Sequence, residues 1–228
     1  MNEENNTKLI EVKNKESFAK GYNFYKIFLI FMVGCFLGDL WEIFLHFIKN
    51  GELVVTRRGV IYGPFNPVYG FGVALMVIFL IRIKDTKKLF IYGSIIGGAF
   101  EYICSFVQEK VFGSMSWDYS GYFLNIDGRT TIPYAMFWGL LCVILLKYVI
   151  PHISNLIEKI PNEVGKPLTI LLVIFMVFNI SISALASNRN LERYKNIPAN
   201  GPLDNFLDTM YPDEKMREVY QNFDFIDK

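Results

Sequence analysis

Five apolar runs, each close to the length that crosses a bilayer, limit what this chain of 228 residues can fold into. The hydrocarbon layer is about 30 Å thick, and a helix rising about 1.5 Å per residue needs roughly 20 apolar residues to cross it. Ile27 to Phe47, Val68 to Ile83, Leu89 to Val107, Ile132 to Ile150 and Leu168 to Ala186 come near that length. The second run is short and follows the turn residues Gly63, Pro64 and Pro67, so its start is expected to be irregular or re-entrant. The expected fold is therefore all-α, a polytopic transmembrane helical bundle of about five spans in contact with the lipid bilayer. Composition agrees, because 52% apolar and 16% aromatic content exceeds what one soluble core needs. With 23 basic and 22 acidic residues lying mostly between the runs, no nucleic-acid surface is expected. Cys35, Cys104 and Cys142 all sit inside apolar runs, where no disulfide framework is expected.

These runs divide the chain. Residues 1–23 are a polar amino-terminal segment without the short apolar core of a cleaved signal peptide. Residues 24–150 form a four-helix membrane core, and 151–186 comprise a polar, proline-bounded linker, His152 to Pro167, with the fifth span. Residues 187–228 are a polar tail, too polar to span, with one amphipathic stretch from Pro212 to Phe223 bearing Met216, Val219, Tyr220 and Phe223 at helical spacing. Lysine and arginine decide orientation. Lys8, Lys13, Lys15, Lys20 and Lys26, then Arg82, Lys84, Lys87 and Lys88, then Lys147, Lys159 and Lys166 fall in segments sharing one side. The opposite side has Lys49, Arg57, Arg58, Lys110, Arg129, Arg189, Arg193 and Lys195. This count predicts a multi-pass protein of the cell membrane with a cytoplasmic amino terminus and an extracytoplasmic tail.

The first span carries Asp39, Glu42 and His46, whose spacings of three, four and seven place them on one helical face, and the third carries Glu101. A carboxyl group facing lipid costs several kcal/mol, so these residues are expected to face a bundle interior or a wet cavity. Counted along helices running the same way, Glu42 and Glu101 fall at similar depth in the outer half. A buried cluster that only fixes helix packing is the bland alternative. His46 with Glu42 and Glu101 offers metal-type ligands, but no second histidine is near, because His152 belongs to the other side; no metal site and no cofactor is expected. Gly34 with Gly38, and Gly93 with Gly97, are small pairs four apart that suit close helix contact. No phosphate-binding glycine loop ends in Lys-Ser or Lys-Thr, which excludes an ATPase activity of the chain itself, and no nucleophile elbow supports acyl-enzyme chemistry.

A faint internal repeat runs through these residues. Gly38-Asp39-Leu40-Trp41-Glu42 matches Gly97-Gly98-Ala99-Phe100-Glu101 as glycine, two residues, an aromatic and glutamate. Each copy continues to an outer loop with arginine and then to proline and an aromatic before glycine: Arg58, Pro67, Tyr69 and Gly70 in one, Arg129, Pro133, Trp138 and Gly139 in the other. Two parallel-repeat helical hairpins plus a fifth helix follow, an arrangement that brings the two glutamates together. Arg58 and Arg129 are then the nearest cations to them.

Several separated motifs stand in order: Gly38 to Glu42, Arg58-Gly59-Val60-Ile61-Tyr62-Gly63-Pro64-Phe65-Asn66-Pro67-Val68-Tyr69-Gly70, Glu101-Tyr102, Trp117-Asp118-Tyr119-Ser120, and Asn125-Ile126-Asp127-Gly128-Arg129. Over Phe24 to Ile150 they resemble the bacterial family called Putative ABC-transporter type IV. The resemblance implies a permease-like multi-span component, partnered with a separate ATPase subunit, that moves an unnamed substrate. Its cavity is expected at Glu42, Glu101, His46, Asp39, Arg58, Arg129, Asp118 and Tyr119. Two other readings stay open: a membrane-embedded enzyme using the paired glutamates on a lipid or envelope substrate, with Arg58 or Arg129 on an anionic head group, and a non-catalytic scaffold or regulator. Neither the substrate nor the oligomeric state is legible.

Overall fold

The computed structural model describes residues 16–51, 58–221 and 224–225. Arg57, Phe223, Lys8, Lys13 and Lys15 lie outside the described residues. The fold is a bundle of five membrane-length or near-membrane-length helices, with two short helices packed at one end. In chain order these are α1 (Phe24–Asn50), α2 (Pro67–Leu80), α3 (Thr86–Phe112), α4 (Ile132–Glu158) and α5 (Asn162–Tyr194), followed by α6 (Pro202–Met210) and α7 (Asp213–Val219). Four of the five are long and apolar enough to cross a membrane, and α2 is the shorter apolar one.

Local signals set the ends. The Asn23 side chain accepts from the Lys26 N–H at the start of α1, and Gly51, in the left-handed region at φ 73°, ends it. Asp85 and Gly113 do the same for α3. The α2 helix begins late, at Pro67, with the Asn66 side chain accepting from the Val68 N–H. The Asn66 N–H donates to the Cys35 carbonyl at 2.9 Å, near the middle of α1. The expected irregular start of the second span is thus a re-entrant stretch, residues 58–66, reaching back to mid-helix depth.

Backbone polar groups at that depth need partners inside the protein. Helix α5 supplies them. Ser183 Oγ accepts from the Ile61 N–H at 2.9 Å, Asn179 Oδ1 accepts from the Tyr62 N–H at 3.1 Å, and Asn179 Nδ2 donates to the Tyr62 carbonyl at 2.7 Å.

Two stretches run differently from the sequence expectation. Helix α4 continues past Ile150 and Pro151 to Glu158, because the turn at Leu145–Val149 widens and the Ile150 N–H reaches the Leu145 carbonyl. A widened turn just before a proline is a natural accommodation, since Pro151 has no N–H to give the regular ladder. Helix α5 starts at Asn162, carries Pro167 inside it, and runs past Ala186 to Tyr194. Lys26, counted above with the exposed lysines of its side, is 1% exposed and donates to Ser154 Oγ at 2.8 Å and to Glu158. This end also joins Phe18 to Asn162 and Gly165, so the amino-terminal segment packs beside the turn between α4 and α5.

The repeat is present in the packing. Cβ atoms built at Gly38 and Gly97 would collide with Tyr69 and Trp138 respectively. One at Gly34 would lie 3.1 Å from the Gly70 Cα, and one at Gly93 would lie 3.3 Å from the Gly139 Cα. Gly70 faces Phe31 and Cys35, and Gly139 faces Phe90 and Ser94. The α1–α2 and α3–α4 hairpins therefore close through the same glycines, at the same places, against the same aromatic positions.

Candidate functional site

The site grows from the aromatic residue that each hairpin presses onto its glycine. Tyr69, one residue before Gly70, donates its hydroxyl to Glu42 Oε1 at 2.5 Å. Trp138, one residue before Gly139, lies beside Glu101. Each glutamate of the repeat is thus met by the aromatic that follows it on the partner helix. The Tyr69 and Trp138 rings lie 6.2 Å apart, and Tyr69 is within electrostatic reach of both carboxylates. Glu42 and Glu101 therefore flank the same Tyr69 side chain.

Glu101 is 8% exposed and takes hydrogen bonds from the Thr130 hydroxyl at 2.7 Å and the Tyr119 hydroxyl at 3.1 Å. Both donors are placed by one turn. Asp127 and Gly128 take φ of 51° and 66°, and the Arg129 N–H donates to the Ile126 carbonyl, the geometry that an Asp-Gly pair favours between antiparallel strands. The short strands Asn125–Ile126 and Thr130–Thr131 then hold Thr130 over Glu101, while the Tyr119 N–H donates to the Gly128 carbonyl at 2.8 Å. Tyr119 stacks on Tyr134 at 4.8 Å and meets Tyr122 edge-on at 5.5 Å. Burial, then the nearby Glu101 charge, pushes the Tyr119 phenol well above its ordinary range, so it stays a hydrogen-bond donor. Asp118 is exposed and accepts from the Ser120 hydroxyl at 2.6 Å and the Ser120 N–H at 2.8 Å, which hold its carboxyl below the usual range. Asp118 supports the loop and does not meet the glutamates.

The arginines lie elsewhere than expected. Arg129 is engaged by Glu109, donates to Ser105 Oγ at 3.3 Å and lies over the Phe106 ring at 5.4 Å. Glu101, Ser105 and Glu109 follow one helical face at spacings of four, so Arg129 neutralises the loop end of that face rather than Glu101 itself. Arg58 lies within electrostatic reach of Asp39, which is 2% exposed. Asp39 Oδ1 and Arg58 Nε are buried without hydrogen-bond partners. Asp39 has no acidic counterpart in the repeat, since Gly98 occupies the matching position against Ala135. His46 bonds to Asn50 at 2.9 Å, one turn along its own helix. Among the described residues no group of three His, Cys, Asp or Glu side chains is placed to hold a metal.

Tyr69, Thr130, Trp138 and Glu109 are the members that sequence reasoning did not assign to the site. Tyr69 and Trp138 had a signal in the repeat, as the aromatics preceding its glycines. Thr130 had none, because only the turn geometry brings it to Glu101. No curated protein and no solved structure matches the chain. The family model described as Putative ABC-transporter type IV matches residues 29–184, beyond Ile150 and through most of α5, and the chain belongs to that family as a multi-pass, transport-related membrane protein.

Proposed function

We propose that the chain is the membrane-spanning component through which a substrate passes, with the energy supplied by a separate ATPase. The observation that carries this reading is the carboxylate cluster between the hairpins. Glu42 and Glu101 stand on helices long enough to cross the bilayer, in equivalent positions, Glu42 held by Tyr69 of the facing helix and Glu101 by Thr130 and Tyr119 of its own hairpin's loop. Carboxyl groups inside membrane helices mark ion or substrate paths far more often than lipid-facing surfaces. A polar site at the interface of two repeats is also what motion of one hairpin against the other would expose alternately. Arg129 is committed to Glu109, which counts against the lipid-enzyme reading that wanted it for a head group.

The test is purification of the tagged chain in mild detergent from the membranes that naturally contain it. An ATP-hydrolysing protein is expected to copurify in fixed proportion, and its turnover to fall when the chain carries Glu101→Gln. A chain that purifies with no nucleotide-hydrolysing partner overturns the ATPase assignment.

A further inference from the structure

We propose that the segment after α5 is a latch: α6 and α7 strap the two hairpin loops together at the site's end of the bundle, held by an arginine–aspartate clamp whose release frees them. These helices lie beyond the 29–184 family match, so they are an addition to the shared core.

Three contacts place the strap. Leu207, Tyr211, Met216 and Val219 form a buried apolar cluster with Ala186 of α5 and with Ile61 of the re-entrant stretch. The Tyr62 and Tyr211 hydroxyls meet at 2.8 Å. Tyr220 bonds Ser183 and Ser187 and lies within electrostatic reach of Arg58, itself within reach of Asp39. The strap also touches the second hairpin. Ser114–Met115, which opens the loop carrying Tyr119 and Thr130, pairs antiparallel with Asp224–Phe225. One segment therefore ties both repeat loops to α5.

The clamp is ionic rather than apolar. Arg189, 2% exposed, forks onto Asp208, with Nε and Nη2 each 2.9 Å from a carboxylate oxygen. Arg193 donates to Asp208 Oδ1 and Asp213 Oδ1, both at 2.6 Å, and to the Tyr211 carbonyl at 2.9 Å. The two arginines of α5 thus hold two aspartates of the strap, while Glu192 of α5 takes Arg189 Nη1 at 2.9 Å and stays with it when the strap leaves. The clamp fixes the strap on α5, so a hairpin that moves against α5 must either part from the strap or draw it out of the clamp. The role as a gate rests on the site proposed above, but the latch itself is tested without any transport assay.

The experiment places Ile61→Cys in the full-length chain, in detergent micelles, and follows reaction with a small maleimide site by site by mass spectrometry. Ile61 is 4% exposed under the strap, and the native Cys35 and Cys142, both 0% exposed, report on the bundle. With the clamp intact, Ile61→Cys should react as slowly as those two. Asp208→Asn with Asp213→Asn takes the charge out of the bonds that hold the strap and should speed the reaction of Ile61→Cys at least about tenfold while Cys35 and Cys142 stay protected. About 1 M salt on the unmutated clamp, which screens the more exposed Arg193–Asp213 pair far more than the buried Arg189 fork, should move the rate the same way but by less. Equal rates with and without the clamp, fast or slow, overturn the latch. So does an increase in reactivity, in both the variant and salt, that comes only together with Cys35 and Cys142.

Discussion

Four glycines and two glutamates carry the repeat at the scale of single residues. A methyl group at Gly97 would meet Trp138, and one at Gly38 would meet Tyr69, while one at Gly121 would have nothing within 4 Å. Gly97→Ala and Gly38→Ala should therefore each destabilise the bundle by about 1–3 kcal/mol, the usual cost of overpacking, with Gly121→Ala near neutral. Thermal unfolding in detergent reads the difference, and equal midpoints for all three would contradict the close approach of the hairpins. The glutamates make a different prediction. Glutamine keeps the size of glutamate, and the Thr130 and Tyr119 hydroxyls can turn to suit it, so Glu101→Gln and Glu42→Gln should accumulate in the membrane normally and lose coupled ATP hydrolysis. Because Tyr69 senses both carboxylates, the double variant should lose little more than either single one. A fully active Glu101→Gln chain would sink the shared site. The glutamates were legible in the sequence because charge in an apolar run stands out. The pairing of Arg129 with Glu109 was not, since an acid near the end of α3 ordinarily meets water and only the turn at Asp127 and Gly128 swings the arginine onto it.

At the scale of elements, the runs of apolar residues placed all five helices, and the caps placed most of their ends. The departures come from tertiary partners that no local pattern encodes. Pro151 reads as a stop, yet the widened turn before it lets α4 continue. Polar residues 187–194 read as tail, yet they prolong α5 because Arg189 finds Asp208 and Glu192 and Leu191 finds Gly113. Within the Pro212–Phe223 periodicity lies α7, with Met216 and Val219 buried, whereas α6 was not read from the sequence although Leu203, Phe206, Leu207 and Met210 stand at helical spacing behind Pro202. The re-entrant stretch depends most heavily on one side chain. Asn179 is 0% exposed and serves both the N–H and the carbonyl of Tyr62. Asn179→Leu removes both partners at membrane depth and should cost about 2–6 kcal/mol, at roughly 1–3 kcal/mol for each of the two backbone groups left without a partner. Ser183→Ala orphans one N–H and should cost about half as much. Steric trapping in bicelles measures both, and a neutral Asn179→Leu would mean that residues 58–66 do not rely on α5.

The whole molecule has two chemically distinct ends, and each makes a prediction. At the end bearing the latch, the Arg189 fork, aided by Arg193, holds the Asp208 carboxyl below the ordinary aspartate value of 3.8. A carboxylate held low contributes docking free energy that is fully present above that ordinary value and fades as the pH falls through the lowered one. Hydrogen-exchange protection of α6 and α7, corrected for intrinsic rates, should thus be unchanged between about pH 7 and pH 5 and disappear only below pH 3.8. Loss near pH 6 would implicate some other group. At the other end lie Lys20, Lys84, Lys87, Lys88 and Lys159, with the amino-terminal segment packed against the turn between α4 and α5. Short loops rich in lysine stay in the cytoplasm during insertion, so that end should face inward and the latch outward. With Cys35, Cys104 and Cys142 replaced, a cysteine at the exposed Asn200 should react with an impermeant thiol reagent in intact cells, and one at the exposed Lys87 only after lysis. The reverse pattern would invert the protein in the membrane. Reaction at both positions in intact cells would break the five-span arrangement itself, because α3, α4 and α5 make three crossings between Lys87 and Asn200, an odd number that must put the two on opposite sides.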